Sequence, residues 1–468
     1  MATLSSKSPQ SPPAGPASFS NAAPPLDQER PVVWPARTRT KLGNGLEVVL
    51  VEHHAIPKFT GELFFRSGNA AVAERATGLA TITAAVTRTG TARRASRQIE
   101  EDLRRMGADL STSAGADTSA IAFAGLAEFA DGLLGLVSEL AREASFPEAE
   151  FERERRQLLE EVRIERTTPG FLAGERLRKV LFGAHPYAQV SPTEAQVAAY
   201  RLEELAETYR AAYRPGNALL ILLGDFRAAE MLARIESIFG NWRGEKPEAR
   251  STVAPPALHG RRVYLVDLPG AVQAQILVGC HSITRKHPDW IRLGLANAIY
   301  GGAFNSRLVM NIREAKGYTY SPRSSVSALR EHGYFSIHGA VRNDVVAATL
   351  AEMFYELDRM RALPVPEDEL ADARNYLSGV FSLGLATQDG LLGQLATVYL
   401  NELPEDYLEK YRERVRALTA DEVLAAARTY FDSANAQVVV VGERKAVESQ
   451  AALWGEMEVF DAQGNRAS

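Results

Sequence analysis

The chain is written twice, and that repetition limits its architecture more than any other feature. Residues 202–224, LEELAETYRAAYRPGNALLILLG, describe an amphipathic helix, a turn and a short apolar strand ending in glycine. Residues 418–442, LTADEVLAAARTYFDSANAQVVVVG, repeat that order, with Asn217 and Asn435, and Gly224 and Gly442, each 218 positions apart. Matched helix–turn–strand units at one offset are the mark of an internal duplication.

Upstream, the two halves also agree. NGLEVVLVEHH and TGELFFRSG are strand candidates split by a proline-marked turn, and GRRVYLVDLPG and AQILVGCHS play the same parts later. Helices are predicted near 78–90 and 94–106 in the first half, and near 289–300 and 304–315 in the second. Strand pairs follow, ADLSTSAG with TSAIAFAGL and TYSPRSSVS with GYFSIHGAV, then helices over 127–143 and 343–361. A charge-dense helix covers 147–167, and its counterpart runs from about Pro366 to Leu383. The pattern is that of an α+β chain of two homologous domains, each a mostly antiparallel sheet packed with helices. The boundaries are an arm over 1–35 rich in Pro, Ser and Ala and expected to be disordered, a first domain over 36–242 and a linker over 243–260. A second domain comes next over 261–460, and then a flexible tail over 461–468.

Composition excludes several classes. A length of 468 residues calls for more than one core. With 53 Lys+Arg against 58 Asp+Glu, the net charge of -5 offers no general attraction to nucleic acid or anionic membrane. No transmembrane stretch is visible, and the compartment stays open between the periplasm and cytoplasm of a bacterium. The single cysteine, Cys280, rules out an intrachain disulfide framework and reads as a buried small hydrophobe in an apolar strand. The eight histidines are scattered, a metal centre built from them across domains being only the minor reading, and no serine elbow or phosphate loop is read from the chain.

Gly78–Thr91, GLATITAAVTRTGT, frames an apolar helix between a glycine and a Gly-Thr. It resembles the zinc helix of the M16 family, the pitrilysin and mitochondrial-processing-peptidase type, whose active members carry HxxEH there. In this chain that frame falls on Thr81, Ala84 and Ala85. Zinc hydrolases need two imidazoles one helical turn apart and a carboxylate to activate water, and methyl groups supply neither. The resemblance extends over nearly the whole chain and implies the LuxS/MPP-like metallohydrolase fold. It puts Glu161, 76 positions after Ala85, where the third metal ligand would stand, with Glu154 at the supporting acidic position. Both glutamates read first as solvated or paired members of an acid–base helix, the alternative being a vestige that meets a basic residue in place of the metal charge. HPYAQVSPT (185–193) is another family-like segment, with His185 a capping or packing residue.

FNSRLVMNIREAKGYTYS (304–321) resembles the second-domain segment in which an arginine and a tyrosine, seven positions apart, bind and polarise the substrate backbone. Here the pair is Arg313 and Tyr320, and the plainer alternative is a helix cap and a sheet tyrosine. The resemblance therefore implies a bacterial short-chain M16B-like noncatalytic subunit, with no catalytic residue or metal of its own. Arg313 and Tyr320 would serve the site of a partner M16 subunit that carries HxxEH and zinc, in a heterodimer. The substrate would be an unfolded polypeptide or short peptide extended along a sheet edge, which the strands over 111–124 provide. The alternative is a peptide-binding or assembly protein with no associated proteolysis. YGGAFNSRL lacks the long glycine-rich loop of noncatalytic mitochondrial subunits, so recognition of targeting presequences is not expected.

Overall fold

Each half builds one six-stranded sheet, and the two sheets share a strand order. The computed structural model describes residues 32, 34–247 and 252–467, and those from Pro35 onward form one compact unit. The arm predicted over 1–35 lies almost wholly outside the described residues. The first sheet contains β1 (Arg37–Lys41), β2 (Glu47–Glu52), β3 (Lys58–Phe65), β4 (Asp109–Ala114), β5 (Ser119–Leu126) and β6 (Ala218–Gly224), ordered β1-β2-β6-β3-β5-β4. The second contains β7 (Arg262–Asp267), β8 (Gln273–Ser282), β9 (Arg323–Ala328), β10 (Gly333–Arg342), β11 (Gln437–Gly442) and β12 (Glu456–Phe460), ordered β12-β7-β11-β8-β10-β9. The orders superpose strand for strand, except that β12, parallel to β7, takes the edge that β1 takes antiparallel to β2. Parallel pairing also joins β2 to β6 and β7 to β11, and the remaining pairs are antiparallel. The α+β expectation holds, as does the duplication behind it.

The apolar runs of β6 and β11 are continuous rather than alternating because both of their faces are covered. Leu220 and Leu222 face the first half's own helices, and Val438 and Val440 face the second's. The opposite faces are roofed reciprocally. Helix Pro169–Phe182, from the first half, lies on β8 and β11, where Leu172, Leu177 and Leu181 pack with Leu277, Val439 and Val441. Gly279 on β8 admits this helix, since a Cβ there would stand 2.8 Å from Leu177 Cδ2 and 2.9 Å from the Phe335 carbonyl. In exchange, helix Gln388–Leu400 of the second half lies on β6 and β3, burying Leu391, Leu392 and Leu395. Asp389 accepts a hydrogen bond from Thr60 on β3 at 2.9 Å. Neither half closes its own sheet.

The helices and strands expected from the sequence are present with shifts at their ends, while the two roofing helices and the edge strands β1 and β12 are not among those expected. The charge-dense helix is Glu148–Glu165 and its counterpart Glu367–Gly384. The segment expected as a helix over 304–315 begins only after Ser306, and most of it, Val309–Ala315, is π-helical. A second π turn, Ala298–Gly302, closes the helix before it. Gly301 sits there because a Cβ would stand 2.6 Å from both Leu308 and Ser324. The described part of 461–468 turns back on β12, with the Ala467 N–H donating to the Val459 carbonyl at 2.8 Å. Among the described residues no helix is long and apolar enough to cross a membrane.

Candidate functional site

Helix Leu79–Thr87 starts at Gly78, whose φ of 76° needs no Cβ, and is buried on most of its surface. Its inward threonines satisfy themselves, Thr83 Oγ1 donating to the Leu79 carbonyl and Thr87 Oγ1 to the Thr83 carbonyl, both at 2.7 Å. Of the positions in the HxxEH frame, Thr81 is exposed and tied to Asn69, which donates from Nδ2 to Oγ1 at 2.9 Å. Ala84 is buried and Ala85 half-buried. Helix Glu148–Glu165 packs against this helix. On it, Glu154 is held by Arg153 at 2.7 Å and Glu161 accepts from Gln157 at 3.0 Å, each a local contact within its own helix. A lone hydroxyl, two methyl groups and two engaged glutamates do not make a zinc site, so the metal that the frame would hold in an active relative does not fit these residues.

The structure gathers three other side chains that the sequence leaves apart. His185, Glu331 and His332 bring their ligand atoms within 4.8 Å of one another, the one potential metal-binding cluster among the described residues. His185 is buried and caps the turn Pro186–Ala188, its Nδ1 accepting the Tyr187 N–H at 3.1 Å. That bond leaves the ring proton on Nε2, which lies 3.3 Å from Glu331 Oε2. A metal bound through Nε2 would need the other tautomer and would break the cap. Glu331 also accepts from Thr252 Oγ1 at 2.5 Å. Burial opposes its ionisation, but the hydrogen bonds from Thr252 and His185 hold its carboxyl below the usual range. Burial, and then the nearby His185, push the His332 imidazole down. As it stands the cluster is a polar clasp between halves, extended by Arg330, whose N–H donates to Asp117 at 2.9 Å. No spacing rule in the sequence exposes it, because its members meet only through the packing of a second-half turn on the first half.

Arg313 and Tyr320 do come together. Arg313 lies on the π-helical segment, whose chain is turned away at Gly317 with φ of 63°. Its guanidinium carbon is 4.3 Å from the Tyr320 ring centre and 5.0 Å from that of Phe304. Tyr320 precedes β9 rather than joining it, and is 78% exposed, while Phe304 is 71% exposed. The Arg313 Nε pairs with Glu314 at 3.1 Å. Its two terminal nitrogens have no acceptor among the described residues, and neither does the Tyr320 hydroxyl have a partner. Phe304, which no sequence motif marks, completes a clamp that fixes one donor and leaves it open. Cys280 is buried, its thiol pushed up to about 12 by burial, in keeping with a packing role.

Residues 47–188 match the family profile described as Insulinase (Peptidase family M16), and residues 200–377 match Peptidase M16 inactive domain. An uncharacterised zinc protease of Streptomyces coelicolor is 25% identical over 302 residues, 63% of this chain and 65% of that protein. One from Bacillus subtilis is 22% identical over 396 residues, 82% of this chain and 96% of that protein. Among solved structures, a peptidase M16 inactive domain from Pseudomonas fluorescens superposes with a TM-score of 0.81 at 26% identity, covering 87% of this chain and 98% of that one. A protease from Helicobacter pylori gives 0.82 at 18% identity, covering 87% and 100%, and shows the fold alone. With both halves matched in order and the fold shared along most of its length, this chain belongs to the M16 zinc-peptidase superfamily.

Proposed function

We propose that the chain is the noncatalytic subunit of an M16-type zinc peptidase. It grips and polarises a peptide that is cut at the zinc of a partner carrying HxxEH. The observation behind this reading is the split in its equipment. The frame Thr81–Ala84–Ala85 has no metal donor set, while Arg313 is clamped between two exposed rings with its terminal N–H groups open. A fixed guanidinium and a phenol suit a peptide carbonyl and the negative charge it gains when attacked. Arg313 would bind and orient the scissile carbonyl, and Tyr320 would add a second, neutral donor.

Purified alone, the chain should hold well under one zinc per molecule by metal analysis and cleave no peptide. Mixed with an M16 chain that has an intact HxxEH, it should restore hydrolysis. In that mixture Arg313→Ala should lower kcat about a hundredfold, the effect of losing one donor to a developing oxyanion. Tyr320→Phe should lower it about tenfold. Unchanged kcat in both variants would remove the assigned role, and hydrolysis by the isolated chain that chelation abolishes would overturn the reading. If it binds peptides but hydrolyses none with any such partner, it is a binding or assembly protein instead.

A further inference from the structure

The loop Ala303–Ser306 faces two ways. Phe304 reaches the Arg313 guanidinium, while Asn305 and Ser306 line a cavity of about 180 Å³ against the start of helix Glu367–Gly384. Asp368 and Asp372, one helical turn apart, stand on its rim, and Ala303 and Ala373 form part of its wall. Glu369 also lines it but is taken up by Arg307, in two hydrogen bonds of 2.8 and 2.6 Å. Asp368 and Asp372 have no ion-pair partner among the described residues. Ser306 is 2% exposed, and its Oγ has no hydrogen-bond partner although it lines the cavity. A buried hydroxyl left open is costly unless something comes to meet it.

We infer that this cavity is a subsite for an arginine side chain of the bound polypeptide, an inference that rests on the peptide-binding reading above. Two unpaired carboxylates, an amide oxygen and a hydroxyl supply acceptors for the five N–H donors of a guanidinium. The apolar wall suits the methylene stem below it. A bare ion fits less well, because no three carboxylates here bring their oxygens within 4.8 Å of one another. Phe304 and Asn305 are neighbours in sequence, so the arginine would lie close along the peptide to the bond held by Arg313.

The test is fluorescence anisotropy on the full chain, with a labelled unstructured peptide of about ten residues containing one arginine and the same peptide carrying citrulline. The arginine peptide should bind about tenfold more tightly or better. Asp368→Asn with Asp372→Asn, both on exposed side chains, should abolish the difference. Equal affinity for the two peptides, or a difference that survives the double substitution, would overturn the subsite. So would displacement of the arginine peptide by micromolar calcium or magnesium at constant ionic strength. The readout is independent of hydrolysis. Arginine discrimination alongside normal kcat in Arg313→Ala and Tyr320→Phe mixtures would sink the proposed function and keep the subsite. Loss of kcat in those mixtures without discrimination would do the reverse.

Discussion

Leu177→Ala should destabilise the whole chain by about 2–5 kcal/mol, the range for emptying a buried leucine site that can only partly collapse. Leu177 is 1% exposed and belongs by sequence to the first half, but its side chain rests on β8 of the second, against Gly279. Because each half roofs the other, the loss is expected in a single urea transition. Its midpoint should fall with no change in slope, whether followed by total fluorescence or by a probe confined to either half. A separate, earlier transition of the second half alone would show that the exchanged helices do not couple the halves. A loss below about 1 kcal/mol would show that this contact is not a principal part of the joint.

Glu62→Gln should stabilise the protein at pH 8 by roughly 2–3 kcal/mol and leave it almost unchanged at pH 4. Glu62 lies on the face of β3 that helix Gln388–Leu400 covers, opposite Ile221 of β6. Leu277 holds the corresponding place on β8, opposite Val439. A carboxyl therefore occupies a position that the duplicate fills with leucine, and burial raises it to about 7. The raised value sets the sign. Below the unfolded value, near 4.5, both states hold the proton and nothing is lost. Between about 4.5 and 7 the unfolded chain ionises and the folded one does not, so stability falls as pH rises, and above 7 the loss is complete. The difference between wild type and variant, measured by urea unfolding at pH 4, 6 and 8, should grow with pH. A difference that stays flat would place Glu62 in water. Glu62→Leu should stabilise at least as much at pH 8, since it restores the residue type of the other half.

The duplication was legible because strand order follows the order of apolar runs, and a shared offset survives wherever loops keep their length. Continuous runs such as Leu219–Leu223 and Val438–Val441 read as short apolar strands, and both are strands. What covers them was not legible. Helix Pro169–Phe182 is not among the expected elements, and an apolar face on a helix does not say whose sheet receives it. Arg313 and Tyr320 are singled out by their frame and do meet, yet the frame does not register Phe304, since a phenylalanine in a loop gives no sign of being exposed. The π-helical turns were missed for a similar reason, because their extra backbone residue leaves the apolar spacing close to that of an α-helix. The clasp of His185, Glu331 and His332 depends on a contact between distant turns, and no local pattern encodes it.

The traded helices also settle how this molecule can move. Swinging one repeat away from the other would lift both covers at once and wet Leu277, Val439 and Val441 on one side and Ile221 and Leu223 on the other. Such a shell is stiff against hinge opening. On the two-subunit reading proposed above, a polypeptide would reach Arg313 through the parting of separate subunits, and the gatekeeping would belong to the assembly rather than to this chain.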